Sequence, residues 1–204
     1  MKKLVFVIEH LESEIGKWLL YEYEHASEIV GKNRLMFTNV KKEEWRRLLS
    51  RLGTVEEKSA TEVFNHEKVV VLDPKAEFPL TPEDFAGKEA VILGGILGDH
   101  PPKGRTRKLL TRRFKKTATV RNLGKGQFSI DGAVYVAKLV SEGTPLKAIP
   151  VQKGLSLKLN QHGEVYLPYA YPMRDGKPLI SQKLVAYLTS DEIVGDEEKM
   201  LKGG

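Results

Sequence analysis

Short apolar runs alternate along this chain with stretches in which apolar residues recur every three or four positions. Residues 4–8 (LVFVI) are the first such run and predict a buried strand. Helical spacing then continues from Leu11 to Gly31, where the glycine predicts the end of a helix. A second strand is predicted at residues 34–40 and a second helix at residues 41–53, which end in a glycine. The chain therefore begins with the order strand, helix, strand, helix.

Two later runs lack polar alternation, at residues 68–73 (KVVVLD) and 89–97 (EAVILGGIL). Such runs are typical of strands that are buried on both faces of a parallel sheet. Helices are predicted at residues 105–116 and 129–143, and a short strand at residues 117–123 separates them. We therefore expect an α/β fold with a mainly parallel sheet and helices on both faces.

The pattern changes after about residue 146, where glycine and proline become frequent and helical periods are few. This pattern predicts a β-hairpin or an irregular extension that carries loops facing a substrate. A length of 204 residues fits one domain. We expect residues 1–204 to form that domain, with residues 146–204 as the extension.

Composition narrows the classes of partner. The chain has no cysteine, which excludes disulfides, thiolate zinc sites and cysteine nucleophiles, and its five histidines show no metal-ligand spacing, so no metal is expected. A net charge of +6 favours anionic partners such as nucleic acid or a ribonucleoprotein surface. No apolar run approaches the roughly 18 to 20 residues of a membrane span. The first run is followed by acids and no cleavage site, so we expect a strand there and a cytoplasmic protein.

A glycine-rich turn follows the run at residues 89–97. Gly94, Gly95 and Gly98 at the end of a parallel strand would let backbone amides approach a ligand closely. The spacing is not that of the G-x-G-x-x-G dinucleotide motif, and no P-loop motif occurs in the chain. A small-molecule site and a tight structural turn both remain open for this segment.

A second glycine-rich segment, RNLGKGQFSIDGA, lies between a predicted strand and a predicted helix. Gly124 and Gly126 free its backbone, Gln127 can donate and accept hydrogen bonds, and Ser129 is a candidate N-cap. The two glycine-rich segments can form opposite walls of one pocket, although each alone also suits a connecting loop.

The stretch between the two glycine-rich segments is strongly basic. Lys103 to Lys116 contains eight basic residues in fourteen and no acid. A solvated helix face explains such a run, and so does attraction of an anionic partner. Phe114 is its only aromatic residue, which favours contact with a phosphate backbone or a charged surface over base stacking.

Five side chains at or just after predicted strands are candidates for acid–base chemistry: Glu9, His10, Asp73, Asp99 and His100. Asp99 is the strongest of them, because its place directly after Gly98 would put a carboxylate at the mouth of the pocket, where it can orient or deprotonate an acceptor. Glu9 and His10 suit packing or capping as readily as catalysis.

Four segments together resemble a known family, at residues 72–76 (LDPKA), 93–106 (LGGILGDHPPKGRT), 121–133 and 167–180 (LPYAYPMRDGKPLI). They are similar to the SPOUT-class methyltransferases of the branch that methylates an arginine of a small-subunit ribosomal protein. The resemblance implies an α/β fold whose C-terminal part is threaded into a deep trefoil knot, an exception to the rule that chains avoid knots. It also implies S-adenosylmethionine as the cofactor, bound in a bent form.

The resemblance also implies which residues hold the cofactor. One wall consists of Leu93, Gly94, Gly95, Gly98 and Asp99, and the other of Leu123, Gly124, Gln127, Phe128, Ser129 and Ala133. A third cofactor segment is expected near residues 149–151. A side chain in place of Gly95 or Gly124 is then expected to fill the pocket and abolish cofactor binding.

The same resemblance implies protein arginine N-methylation. The guanidinium of an arginine has a pKa above about 12. The acceptor arginine therefore needs a carboxylate that orients it and takes its proton. Asp99 or Glu9 can supply this carboxylate. His100, Arg105 and Arg121 are our candidates for contacts with the substrate, a ribosomal protein. An rRNA or tRNA methyltransferase and a non-catalytic ribosome-associated protein are the alternatives. A monomer is favoured over a homodimer.

Overall fold

The computed structural model describes residues 3–98, 103–159 and 163–190. Helices and strands alternate through most of this part of the chain. The strands are β1 (Val5–His10), β2 (Leu35–Thr38), β3 (Thr54–Val55), β4 (Val69–Leu72), β5 (Ala90–Gly95), β6 (Thr119–Arg121), β7 (Val151–Leu159), β8 (Gly163–Arg174) and β9 (Lys177–Pro178). The helices are α1 (Lys17–Val30), α2 (Glu43–Leu49), α3 (Ala60–Val63), α4 (Arg105–Leu109), α5 (Ile130–Ser141) and α6 (Gln182–Leu188).

Six strands form one sheet in the order β3-β2-β1-β5-β4-β6, and every neighbouring pair in it is parallel. The strands near its centre are apolar on both faces, as the sequence predicts, and Phe6, Val7 and Ile8 of β1 are fully buried. Glu9 of β1 lies beside Gly94 of β5 in the register of this pair. The α/β fold with a mainly parallel sheet is confirmed.

Helices cover both faces of this sheet. On one face, Phe6 and Ile8 pack with Leu19 of α1 and Val134 of α5 in the larger core cluster. On the other face, the side chain of Val7 points away from them and packs with a smaller cluster that includes residues of α3 and the segment after α4. Because side chains alternate along β1, consecutive residues of this strand pack into the two cores on opposite faces of the sheet.

The C-terminal strands form a second, antiparallel sheet in the order β7-β8-β9. The expected hairpin is β7 and β8, and Leu167 and Tyr171 of β8 pack with Leu184 and Leu188 of α6 and with Trp18 of α1. The sequence did not predict α6, because its seven residues are too few for a clear helical period.

Several predicted boundaries are corrected. The helix predicted from Leu11 begins at Lys17, after an irregular loop that Glu12 holds through hydrogen bonds described below. The helix predicted at residues 105–116 ends at Leu109 and continues only as a 3-10 turn. Like charges such as Lys108 and Arg112, four positions apart, disfavour a longer helix there.

None of the helices in the described residues is both long enough and apolar enough to cross a membrane. Within the same residues, no group of three or more His, Asp or Glu side chains is arranged to hold a metal ion.

Candidate functional site

A cavity of about 380 Å³ lies where β4 and β5 end and the chain leaves the parallel sheet. Its lining residues come from four stretches of chain, residues 72–75, 93–98, 103–106 and 123–133. Ligands of open parallel sheets bind at the carboxyl ends of strands, and pockets for small molecules have volumes of about 300 to 1,000 Å³. This cavity has the place and the size of a ligand site.

The structure brings most of the predicted wall residues to this cavity. The lining includes eight of them: Leu93, Gly94, Gly98, Leu123, Gln127, Phe128, Ser129 and Ala133. Arg105, a predicted substrate contact, also lines it. Asp99 and His100 lie outside the described residues. The two glycine-rich segments are therefore walls of the same cavity.

Gly98 shows how closely the two walls approach each other. A Cβ atom at this position would collide with the side chain of Gln127 and with the ring of Tyr169, whose hydroxyl donates a hydrogen bond to the Gly98 carbonyl at 2.9 Å. Gly126 has a φ of +135°, and a Cβ there would lie 2.8 Å from the Cβ of Ala170. Both glycines permit close packing between the cavity walls and β8.

Two of the predicted wall residues, Gly95 and Gly124, do not belong to the lining of this cavity. A Cβ at Gly95 would collide with the hydroxyl of Tyr23 and lie 2.9 Å from Ile8, so the absence of a side chain serves the core under the sheet. Gly124 has a φ of +87° and open space around it, so it serves the turn of its loop.

Residues 149–151, where a third cofactor segment is expected, do not belong to the lining of this cavity. Ile149 is buried in the larger core and does not line the cavity, whereas Leu72 to Lys75, directly after β4, do. The carboxylate of Asp73 has no exposed surface, and it accepts hydrogen bonds from the Lys75 amide (2.8 Å) and from Nε of Arg107 (3.1 Å). Asp73 thus joins the turn after β4 to α4, and its carboxylate has a structural role.

Glu12 joins the loop after β1 to the end of β5. Its carboxylate accepts a hydrogen bond from the Leu97 amide (2.9 Å) and pairs with the Arg105 guanidinium at 3.1 Å. Arg105 also donates to the Leu97 carbonyl at 2.6 Å. This network fixes the backbone of the cavity wall on both sides of Leu97, and sequence reasoning missed the part played by Glu12.

Glu9 does not reach the cavity. Its carboxylate is fully buried and accepts hydrogen bonds from Thr38 Oγ1 (2.5 Å), Ser59 Oγ (2.5 Å) and the Ala60 amide (2.8 Å). These partners belong to β2 and to the start of α3, so the carboxylate joins three elements of the fold. These contacts give Glu9, for which the sequence predicts a catalytic role, a structural one in the fold.

His10 and Arg121 also have structural partners. His10 Nδ1 lies 3.0 Å from the Tyr23 hydroxyl, and burial lowers the pKa of this histidine against the opposing effect of Glu12. The Arg121 guanidinium, a predicted substrate contact, pairs with Asp84 at 2.7 Å and does not line the cavity.

The start of α5 is fixed by a buried cluster of ionisable side chains. Glu22 of α1 accepts hydrogen bonds from the Ile130 amide (2.9 Å) and from Trp18 Nε1 (2.7 Å). His25 Nδ1 lies 2.6 Å from Asp131 Oδ2. Since Ile130 lines the cavity, α1 holds one wall of the site in place. A charged residue on the apolar face of α1 was the only signal of this cluster in the sequence.

Burial, together with the nearby Asp131 carboxylate, raises the pKa of Glu22 from its ordinary value of 4.5 to about 8. A carboxyl group whose pKa is raised in the folded state contributes stability that is complete below pH 4.5 and is lost as the pH rises through 8. We expect the wild-type free energy of unfolding to fall over that window, with a slope on the order of 1 kcal/mol per pH unit from this group.

The Glu22→Gln variant lacks this titration, so its free energy of unfolding should depend less on pH between 5 and 9 than that of the wild-type protein. Urea unfolding at several pH values measures both curves. Parallel curves for the two proteins would show that Glu22 has no raised pKa.

The lining of the cavity fits S-adenosylmethionine. Leu93, Leu123 and Phe128 offer apolar surface for an adenine ring, and glycine-rich backbone lies beside them for hydrogen bonds to its edge. Among the described lining residues, Asp73 is the one with a carboxylate, and Arg107 binds it. The apolar side chains of the stretches 93–98 and 123–133 suit the adenosyl part of such a ligand.

Comparisons with known proteins agree with this geometry. The family model described as "Protein arginine N-methyltransferase SFM1-like" matches residues 5–194. The chain is 27% identical over 202 residues to the protein arginine N-methyltransferase SFM1 of Saccharomyces cerevisiae. The aligned region covers 91% of this chain and 94% of that protein.

Solved structures show the same similarity. The yeast arginine methyltransferase SFM1 in complex with S-adenosylmethionine matches with a TM-score of 0.82 and 25% identity over 93% of this chain and 92% of that one. Its complex with S-adenosylhomocysteine gives a TM-score of 0.81 and 26% identity over 91% and 94% of the two chains. The dual-specific Trm10 of Thermococcus kodakaraensis shares the fold, with a TM-score of 0.57 and 22% identity over 71% and 95%.

The parallel sheet, the glycine-rich cavity at its carboxyl edge and these similarities define a SPOUT-class methyltransferase that uses S-adenosylmethionine. Within that class, the chain belongs to the SFM1-like family of protein arginine N-methyltransferases.

Proposed function

We propose that this enzyme transfers a methyl group to an arginine side chain of a small-subunit ribosomal protein, with S-adenosylmethionine bound in the cavity at the end of β4 and β5. The observation that carries the proposal is the similarity to a protein arginine methyltransferase along nearly the whole chain, in a molecule whose cavity is built from its two glycine-rich segments.

When bound, S-adenosylmethionine supplies an electrophilic methyl group on a positively charged sulfur. We assign Leu93, Leu123, Phe128 and Ala133 to its apolar part, and the backbones of Gly94 and Gly98, with Gln127 and Ser129, to its polar groups. Positioning accounts for much of the rate enhancement in such a transfer, so a rigid site needs few catalytic side chains. The hydrogen bonds of Glu12 and Asp73 keep the walls rigid.

The acceptor arginine must lose a proton to become a nucleophile, although its pKa lies above about 12. We propose that Asp99 orients the guanidinium and accepts this proton, and that His100 and Arg105 contact the substrate. Glu9 is not part of the proposal, since its carboxylate already accepts three hydrogen bonds inside the fold.

We propose one domain over residues 1–204, a deep trefoil knot in its C-terminal part, and residues 146–204 as the knot exit and substrate-facing extension. The protein would act as a monomer in the cytoplasm, where ribosomal proteins are available to it.

RNA is the second candidate substrate, because the basic segment exposes many cations. Arg105 and Arg107 pair with Glu12 and Asp73, but Lys108, Arg112, Arg113, Lys115 and Lys116 are exposed to solvent. A cluster of this kind attracts phosphate groups and makes binding sensitive to salt.

Methyl-labelled S-adenosylmethionine distinguishes the candidates. We expect incubation with small ribosomal subunits to give label that survives nuclease and is lost on protease treatment. Label that is lost with nuclease, in a reaction that weakens steeply as salt rises, would favour RNA instead. No label in either fraction, with cofactor binding intact, would favour a non-catalytic ribosome-associated protein.

A further inference from the structure

The lining of the cavity differs in charge from one side to the other. The stretches 93–98 and 123–133 contribute apolar side chains, glycine backbone and uncharged polar groups, whereas the stretches 72–75 and 103–106 contribute Lys75, Lys103 and Arg105. S-adenosylmethionine carries one anionic group, its α-carboxylate, at the end opposite the adenine ring. A ligand of this kind is oriented by a cavity with an apolar side and a cationic side.

The backbone of Lys75 is fixed on that cationic side. Its amide donates to Asp73 Oδ1 at 2.8 Å, and its carbonyl accepts a hydrogen bond from Arg107 Nη2 at 2.7 Å. Arg107 also donates to the second oxygen of the buried Asp73 carboxylate. The turn after β4 is therefore held at two points before any ligand binds.

The side chain of Lys75 lies against Gly104, the residue before α4. A Cβ atom at Gly104 would lie 2.8 Å from Lys75 Nζ and 2.9 Å from its Cε. Gly104 has a φ of +67°, in the left-handed region that favours glycine, and its lack of a side chain leaves the space that the lysine occupies. Both residues line the cavity.

Two acids of the described residues that hold the cavity walls, Asp73 and Glu12, have other partners. Asp73 is bound by Arg107, and Glu12 is bound by Arg105 and the Leu97 amide. Within the described residues, no hydrogen bond or ion pair engages Lys75 Nζ, and Lys75 is exposed to solvent. A cation thus stands at the cavity wall with its charge available to a ligand.

We propose that Lys75 binds the α-carboxylate of S-adenosylmethionine and so sets the direction in which the cofactor lies. This inference rests on the proposed function, because it takes the cavity as the cofactor site. It makes Lys75 a determinant of specificity for adenosyl ligands that carry a carboxylate, without a part in the bond-making step.

Calorimetric titration of the purified full-length protein tests this assignment with two ligands. S-adenosylhomocysteine has the carboxylate, and 5′-methylthioadenosine lacks the whole amino-acid end. In Lys75→Met we expect the Kd for S-adenosylhomocysteine to rise about fivefold at low salt, because an exposed charge pair makes a modest contribution, while the Kd for 5′-methylthioadenosine changes by less than about twofold. Lys75→Arg should restore most of the loss.

Lys108→Met is the matched control, since it removes one exposed positive charge of α4 that does not line the cavity. It should leave both affinities unchanged. If the wild-type protein binds both ligands and Lys75→Met weakens both equally or neither, the assignment of Lys75 is wrong and the cofactor site stands. If the wild-type protein binds neither ligand, the proposed function itself fails.

Weaker RNA binding by Lys75→Met, with both small-molecule affinities unchanged, would also overturn the assignment and give the lysine to a phosphate of nucleic acid. An effect on S-adenosylhomocysteine that decreases as salt is raised is the expected behaviour of a charge pair.

Discussion

Gly98→Val is expected to lose binding of S-adenosylmethionine, with a Kd at least about 100-fold higher than that of the wild-type protein, or ~2.7 kcal/mol. The first added carbon already collides with the Gln127 side chain and the Tyr169 ring, and both Gly98 and Gln127 line the cavity. The valine must displace one wall or enter the ligand volume. The φ of Gly98 lies outside the left-handed region, so the effect is steric. Calorimetry or equilibrium dialysis measures the loss.

Gly16→Ala is the matched control for this variant. Gly16 precedes α1, and a Cβ atom there would meet no heavy atom within 4 Å. The control should bind the cofactor with wild-type affinity, and thermal unfolding of both variants shows whether the valine has damaged the whole fold. A folded Gly98→Val protein with normal affinity would contradict the placement of the cofactor in this cavity.

Glu9→Ala is expected to lower the free energy of unfolding by about 3 kcal/mol. The substitution leaves the donors of Thr38, Ser59 and Ala60 without their acceptor in a region closed to water. Chemical denaturation of both proteins measures the difference. Glu14→Ala, at an acid whose side chain is 72% exposed, should change stability by less than about 0.5 kcal/mol.

Activity separates a structural role of Glu9 from a catalytic one. Glu9→Gln keeps the shape of the side chain and one good acceptor, so below its unfolding temperature its kcat should remain within a few-fold of wild type. A kcat reduced about 100-fold in a variant of unchanged stability would restore Glu9 to the catalytic machinery.

The sequence predicted the parallel sheet because its central strands are apolar on both faces, a pattern that local residues determine. It also predicted the two glycine-rich walls, since their glycines directly follow strands and a parallel sheet brings strand ends to one edge. Ser129 as the N-cap of α5 is confirmed by its hydrogen bond from the Gly132 amide. These features depend on short segments of chain.

The features that the sequence did not predict depend on contacts between distant segments. Leu72 to Lys75 line the cavity because β4 lies beside β5, an order that periodicity does not specify. A glycine beside another glycine gives no sign of which face it serves, and only the contact with Tyr23 of α1 shows that Gly95 faces the core. The sequence places Glu9 at the end of a strand, whereas β1 continues through it to His10.

Charge was the least informative signal in the sequence. Arg105, Arg107 and Arg121 all look like free cations in a basic chain, yet each pairs with an acid from a distant segment. Only the folded arrangement distinguishes these paired arginines from Lys75, whose side chain lines the cavity.

We propose that arginine methylation takes place at the cavity at the end of β4 and β5. Tandem mass spectrometry of small-subunit proteins, after reaction with trideuteromethyl S-adenosylmethionine, tests it most directly when wild-type protein and Gly98→Val are compared side by side. We expect a trideuteromethyl group on an arginine side chain with the wild-type protein and none with the variant. Label on another residue type or on RNA, or equal labelling by a folded Gly98→Val protein, would contradict it.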